Sequence, residues 1–93
     1  MQKKLIKVHP TDNVAVALVN LKAGDVVTFE GQDIKVVSDV KAKHKIALTE
    51  LLSGDKIFMY GVLVGKANTP INLGDVLTIN NVKHQSAKVT QKT

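Results

Sequence analysis

Three short clusters in this chain hold the side chains best suited to polar chemistry. They are His9-Pro10-Thr11-Asp12-Asn13, Lys43-His44-Lys45 and Tyr60-Gly61. The first two each stand directly before an apolar run, Val14-Ala15-Val16-Ala17-Leu18 and Ile46-Ala47-Leu48. If those runs are helices, their free N–H groups and positive dipole ends face the polar cluster, an arrangement suited to an anion. Histidine is the side chain suited to proton transfer around neutral pH, so His9 and His44 are the candidate acid–base or substrate-contacting groups. Lys43 and Lys45 are candidate cations for a carboxylate or sulfonate. In an extended segment these two lysines share one face and His44 points to the other. Asp12 reads as a helix N-cap, which leaves Asn13, one residue past the cap, as a candidate ligand contact. At Tyr60-Gly61 the glycine would let backbone N–H groups approach a ligand; the plainer reading is an edge tyrosine beside a bulge.

The chain has no Ser-His-Asp arrangement, phosphate loop or paired-carboxylate spacing. His9, His44 and His84 lack zinc-ligand spacing, so no metal site is expected in this chain. Cysteine is absent, which excludes a disulfide scaffold and thiolate-bound zinc and fits a cytoplasmic setting.

The elements that must position these clusters read as an α+β, β-rich fold with short strands and two short helices. Lys4–His9 alternates as a first strand and stops at Pro10. Val14, Ala17, Leu18 and Leu21 follow with the spacing of one helix face, from a Thr11 or Asp12 cap to Gly24. Val26–Phe29 and Ile34–Val37 form a hairpin around Glu30-Gly31-Gln32-Asp33. Ala47, Leu48, Leu51 and Leu52 make a second helical stripe, ended by Gly54. Ile57–Tyr60 is a strand, Gly61 and Gly65 mark a bend or bulge, and Val76–Ile79 is the last strand. A weak echo recurs: Gly24-Asp25-Val26-Val27, Gly54-Asp55-Lys56-Ile57 and Gly74-Asp75-Val76-Leu77. Gly-Asp before a β run is turn chemistry, so the echo reports tight re-entry into strands.

A chain of 93 residues supports one small domain, residues 1–93, with an ordered core over about 3–85 and a polar tail over 86–93. Aromatics are 3% of the chain, so Val, Ile, Leu and Ala must build the core. No apolar run approaches the roughly 20 residues of a membrane span, and the basic N-terminus lacks the apolar stretch of a secretory signal. The net charge is +5, and all 13 basic residues are lysines. Without arginines or an aromatic platform, nucleic acid is not the expected partner. A small anion or simple solubility accounts better for the charge.

Four ordered blocks resemble one known family. They are His9–Leu18, Lys43–Leu48, Tyr60–Ala67 and Ile71–Val76. Their order and spacing, from about Lys7 to Val82, resemble the N-terminal domain of altronate and galactarate dehydratases. That resemblance implies an SAF-like β-clip fold, also seen in sialic acid synthases and type III antifreeze proteins. It implies a partner too, a large dehydratase subunit or domain that carries out elimination from a hydroxy acid. In the related sulfolactate sulfo-lyase the small and large parts are separate polypeptides. This chain is therefore expected to be a small subunit or an N-terminal domain, inactive alone. It would bind no cofactor alone and would leave any divalent metal to the large subunit; self-association stays open. Its expected task is to help hold a small acidic substrate through His9, Asn13 and Lys43–Lys45, with Tyr60, Gly61, Asn80 and Asn81 nearby. One departure is visible. Thr78 and Asn80 stand where the family commonly carries histidines, while Asn81 is kept. Thr and Asn hydrogen-bond but do not shuttle protons near neutral pH. A module that binds a small acid or a protein without catalysis is the alternative.

Overall fold

The computed structural model describes residues 3–84, so the polar tail expected from residue 86 lies outside the described residues. Among the described residues eight strands run in chain order: β1 (Leu5–Ile6), β2 (Val14–Ala17), β3 (Val26–Phe29), β4 (Gln32–Lys35), β5 (Lys45–Ala47), β6 (Lys56–Met59), β7 (Val62–Ala67) and β8 (Val82–His84). They form three antiparallel sheets, β1-β2-β5, β3-β4 and β6-β7-β8. No helix occurs among the described residues.

Both expected helices are thus corrected to extended chain, and the fold is all-β rather than α+β. The first helical stripe is β2, whose residues are buried on both faces. Ala15 and Ala17 enter one core, and Val14 enters the other. A run that is apolar on both faces satisfies a helical template as well as a strand, and valine at 14, 16 and 19 tips the balance toward strand. The second stripe fails because Leu52 is 68% exposed. Ala47 instead ends β5, and Leu51 forms an isolated bridge to Ile71. With the helices goes the expectation of dipole-assisted anion binding at their N-termini. Smaller corrections concern ends. The Lys4–His9 strand shrinks to Leu5–Ile6, and the first hairpin turns on two residues instead of four. The Val76–Ile79 run keeps only a bridge from Val76 to Ile46, and β8 is the last strand.

The Gly-Asp echo proves to be a structural repeat. In its first two copies the Gly N–H donates across the hairpin (Gly24 to Val36 C=O, Gly54 to Ala67 C=O, both 2.8 Å). In both, the Asp side chain accepts from the residue three before it, Lys22 N–H at 2.9 Å and Leu52 N–H at 2.7 Å. Each copy opens a two-residue hairpin, β3–β4 and β6–β7, and closes with a bridge, Leu21 to Val40 and Leu51 to Ile71. The third copy pairs with β5 instead: Gly74 N–H donates to Ala47 C=O, and Ala47 N–H to Asp75 C=O, both at 2.9 Å. In β7 the register slips opposite Ile57 and Phe58, a bulge at the expected place.

Each hairpin has its own core. One gathers Leu5, Leu21, Val27, Ile34, Val36, Val40 and Ile46; the other gathers Leu51, Ile57, Met59, Ala67, Ile71 and Val82. The β2–β5 ladder separates them, with Ala15 and Ile46 facing the first and Val14 and Ala47 the second. Residues 7–13 enter β2 along its edge and so reach the β6–β7 tip.

Candidate functional site

Asp12 organises the His9 cluster. It is buried, at 6% exposure, and its carboxylate accepts three backbone N–H bonds. Gly61 N–H donates to Oδ1 at 2.9 Å, and Tyr60 and His9 N–H donate to Oδ2 at 2.9 and 3.1 Å. Burial alone would raise the carboxyl's pKa. The three donors and the neighbouring His9 ring outweigh it and hold the group below its ordinary 3.8. One side chain therefore locks the turn before β2 onto a hairpin tip 48 and 49 residues away. That tip has both central residues at positive φ, Tyr60 at 58° and Gly61 at 78°, as a type I′ turn requires.

His9 lies on this clamp. Its Nδ1 accepts Thr11 N–H at 3.2 Å and sits 2.9 Å from Thr11 Oγ1. A backbone N–H can only donate, so the neutral imidazole carries its proton on Nε2. The His9 residue is exposed, and Nε2 has no hydrogen-bond partner among the described residues. The ring rests against Gly61: a Cβ there would come within 2.9 Å of Cδ2 and 3.0 Å of Cγ. Gly61 thus serves the ring by lacking a side chain, while its N–H and that of Tyr60 go to Asp12. The Tyr60 side chain is 54% exposed beside them.

Asn13 spends its amide inside the fold. Its Nδ2 donates to Lys56 C=O and its Oδ1 accepts Phe58 N–H, both at 2.9 Å, which pins the same segment to β6.

The lysine cluster lies at the other end of β2. Lys43 N–H donates to Ala17 C=O at 2.7 Å, whereas Asp12 precedes the strand's first residue. At about 3.3 Å rise per residue, the two ends are roughly 16 Å apart. His9 and His44 therefore do not meet within one chain. Lys43 and His44 are exposed and Lys45 is half-buried. Lys43 has φ 77° in a turn closed by His44 N–H to Lys41 C=O at 3.0 Å, a position that ordinarily takes glycine. Leu77 N–H donates to Lys45 C=O at 2.9 Å and brings the Thr78–Asn81 turn beside this end of β5. Asn81 is occupied there: Oδ1 accepts Thr78 N–H at 2.7 Å and Nδ2 donates to Val76 C=O at 2.9 Å. Asn80 is exposed, and its N–H donates to Thr78 Oγ1 at 3.1 Å. His84 lies in β8.

Sequence reasoning missed Asp12 as a clamp and Thr11 as the group that sets the His9 tautomer. The short Tyr60-Gly61 turn between two β runs was the available signal for a tip needing N–H acceptors. Among the described residues no three His, Asp or Glu side chains gather as a metal-binding group.

Comparison with known proteins agrees with this architecture. The altronate/galactarate dehydratase SAF domain matches residues 3–85. An altronate dehydratase of Bacillus subtilis (strain 168) is 37% identical over 81 residues, 87% of this chain and 16% of that protein. An altronate dehydratase of Escherichia coli (strain K12) is 35% identical over 92% of this chain and 17% of its own length. The galactarate dehydratase (L-threo-forming) of the same organism is 38% identical over 74% of this chain and 13% of its own length. The chain thus corresponds to 13–17% of the curated relatives it matches. No helix among the described residues is long and apolar enough to cross a membrane. With its matched span and its curated relatives in agreement, the chain belongs to the altronate/galactarate dehydratase SAF domain family.

Proposed function

We propose that this chain is the SAF unit of a sugar-acid dehydratase and that it presents His9 to the substrate held by a large catalytic unit. The observation that carries the reading is the held imidazole: Thr11 N–H keeps Nδ1 as an acceptor, and Nε2–H of this exposed residue has no partner among the described residues. In such an elimination a proton leaves the carbon next to the carboxylate, and hydroxide departs from the neighbouring carbon as water. Nε2–H suits a hydrogen bond to the departing hydroxyl or a carboxylate oxygen. It does not suit the base, because Nε2 already carries its proton while Thr11 holds Nδ1. The base, and any divalent cation, then belong to the catalytic unit. Alone the chain is inactive.

The test is dehydration of altronate and galactarate by the chain combined with its catalytic unit. His9→Ala is expected to lower kcat/KM by about 10²–10³, with His9→Gln, which keeps a donor, recovering part of the loss. Unchanged turnover in both variants would remove His9 from the mechanism.

A second reading rests on the lysine end. Lys43 keeps a left-handed backbone where glycine would be easier, next to two further basic groups. A module that binds a small acid there without catalysis would retain sugar acids by itself in calorimetry. It would lose them on Lys43→Ala or His44→Ala.

A further inference from the structure

The face of the β1-β2-β5 sheet turned away from the first core is covered at only one end. Ile6, Val16 and Lys45 stand opposite one another across the three strands. One step along, Lys4 stands opposite Leu18, whose N–H donates to the Lys4 C=O. Alternation puts all five side chains on one face, while Leu5, Ala17 and Ile46 enter the first core. The same face continues to Val14 and Ala47, and there the second core covers it. Coverage stops short of the next pair: Ile6 is 38% exposed, Leu18 is 44% exposed and Val16 is half-buried. An aliphatic centre therefore lies open, with Lys4 and Lys45 at opposite corners. At about 4.8 Å between strands, Ile6, Val16 and Lys45 span about 10 Å, the diameter of one helix with its side chains.

The chain's own acids do not serve these lysines. All eight acidic side chains lie among the described residues, and each is spent inside the fold. Six accept a backbone N–H, Asp33 accepts the Thr28 hydroxyl, and Glu30 pairs with Lys7. Lys7–Glu30 is the one salt bridge among the described residues, so Lys4 and Lys45 have no carboxylate partner there. Lys41, Lys43 and His44 add to the basic edge beside Lys45. The charge thus calls for an anionic partner, and the aliphatic centre calls for one with apolar side chains. Residues 85–93 carry Lys88 and Lys92 and no acid, so they would bring lysine against lysine. A second copy of the face would do the same. A membrane is less favoured, because the chain has no tryptophan and its one tyrosine stands at the β6–β7 tip.

We infer that this face docks an amphipathic helix of a partner polypeptide, its aliphatic stripe on Ile6, Val16 and Leu18 and its Asp or Glu side chains beside Lys4 and Lys45. The inference is independent of any role for His9.

The probe is a blocked helical peptide with a leucine stripe bordered by glutamates, titrated into the full chain and followed by methyl NMR. Saturable shifts at the Ile6, Val16 and Leu18 methyls are expected, and added salt should weaken them. Leu18→Thr, which keeps a strand-forming residue at the site, should weaken binding about tenfold. Lys4→Glu should weaken the glutamate-bordered peptide about tenfold and favour a lysine-bordered one. That variant keeps the backbone bond from Leu18. Shifts elsewhere, equal binding of the lysine-bordered peptide by the parent chain, or no saturable binding overturn the inference. So do the same methyl shifts on vesicles of phosphatidylserine and phosphatidylcholine without binding of the peptide, which would make a membrane the occupant. Peptide-free dimerisation that shifts the same methyls overturns it too, in favour of a second copy.

Discussion

The two hairpin tips, Glu30-Gly31 and Tyr60-Gly61, sit 30 residues apart in matching repeats and share one backbone conformation, with φ of 51° and 77° against 58° and 78°. What surrounds them differs. A Cβ on Gly31 would meet nothing within 4 Å, while one on Gly61 would strike the His9 ring. The first tip is tied down by a partly exposed ion pair, Lys7 to Glu30. The second is tied down by a buried carboxylate that takes two of the tip's N–H groups. One turn geometry thus serves as a plain loop in one repeat and as the platform for a candidate functional histidine in the other. The difference comes from residues 7–13, which lie outside both repeats.

The sharpest way to break this asymmetry is Asp12→Ala. It orphans three N–H groups at once and should cost about 3 kcal/mol in urea unfolding. Asp12→Asn, which keeps an acceptor, should cost less. Because the folded carboxyl titrates below 3.8, its contribution is present at pH above that value and drains away as pH falls through the lowered one. The Asn variant should therefore show a shallower loss of stability with acid in that window. A stability profile identical to the parent's would mean the carboxylate is not the clamp.

Next comes the glycine pair. Gly61→Ala should cost about 2 kcal/mol and displace His9, whereas Gly31→Ala carries only the left-handed strain of about 1 kcal/mol. Equal losses would erase the distinction between the tips. Lys43→Gly should relieve its turn and raise stability by about 0.5 kcal/mol, while any acid binding at that end weakens. Glu30→Gln should be the mildest, about 0.5 kcal/mol or less in the same unfolding assay, since exposed ion pairs contribute little.

Much of this was legible in the residues, and each failure has a physical cause. The Gly-Asp echoes announced tight turns into strands, the first hairpin was legible in its two β runs, and the β7 bulge in Gly61 and Gly65; the second hairpin, β6–β7, was not read. The His9 cluster and Tyr60-Gly61 were singled out separately, and the fold brings them together. Their link through Asp12 was hidden because local spacing carries no information about a contact 48 residues away. The first helix failed where burial was two-sided, and the second because Leu52 of its stripe is exposed. Val14–Ala17 faces two cores, and a run with no polar face has no period from which to tell helix from strand. Asn13 was singled out as a ligand contact because its neighbour was taken for a cap; with no helix there, both its amide atoms join β6.

The β2–β5 ladder, whose successive residues belong to different cores, also governs how the molecule comes apart. Each hairpin closes locally and can form in microseconds. Neither can bury its apolar face until the ladder, drawn from segments outside both, is in place. Once it is, loss of either repeat bares one side of the shared wall to water. The two halves consequently lack independent melting temperatures. Heating should give a single cooperative transition, and damage to one core should lower the temperature at which the other opens.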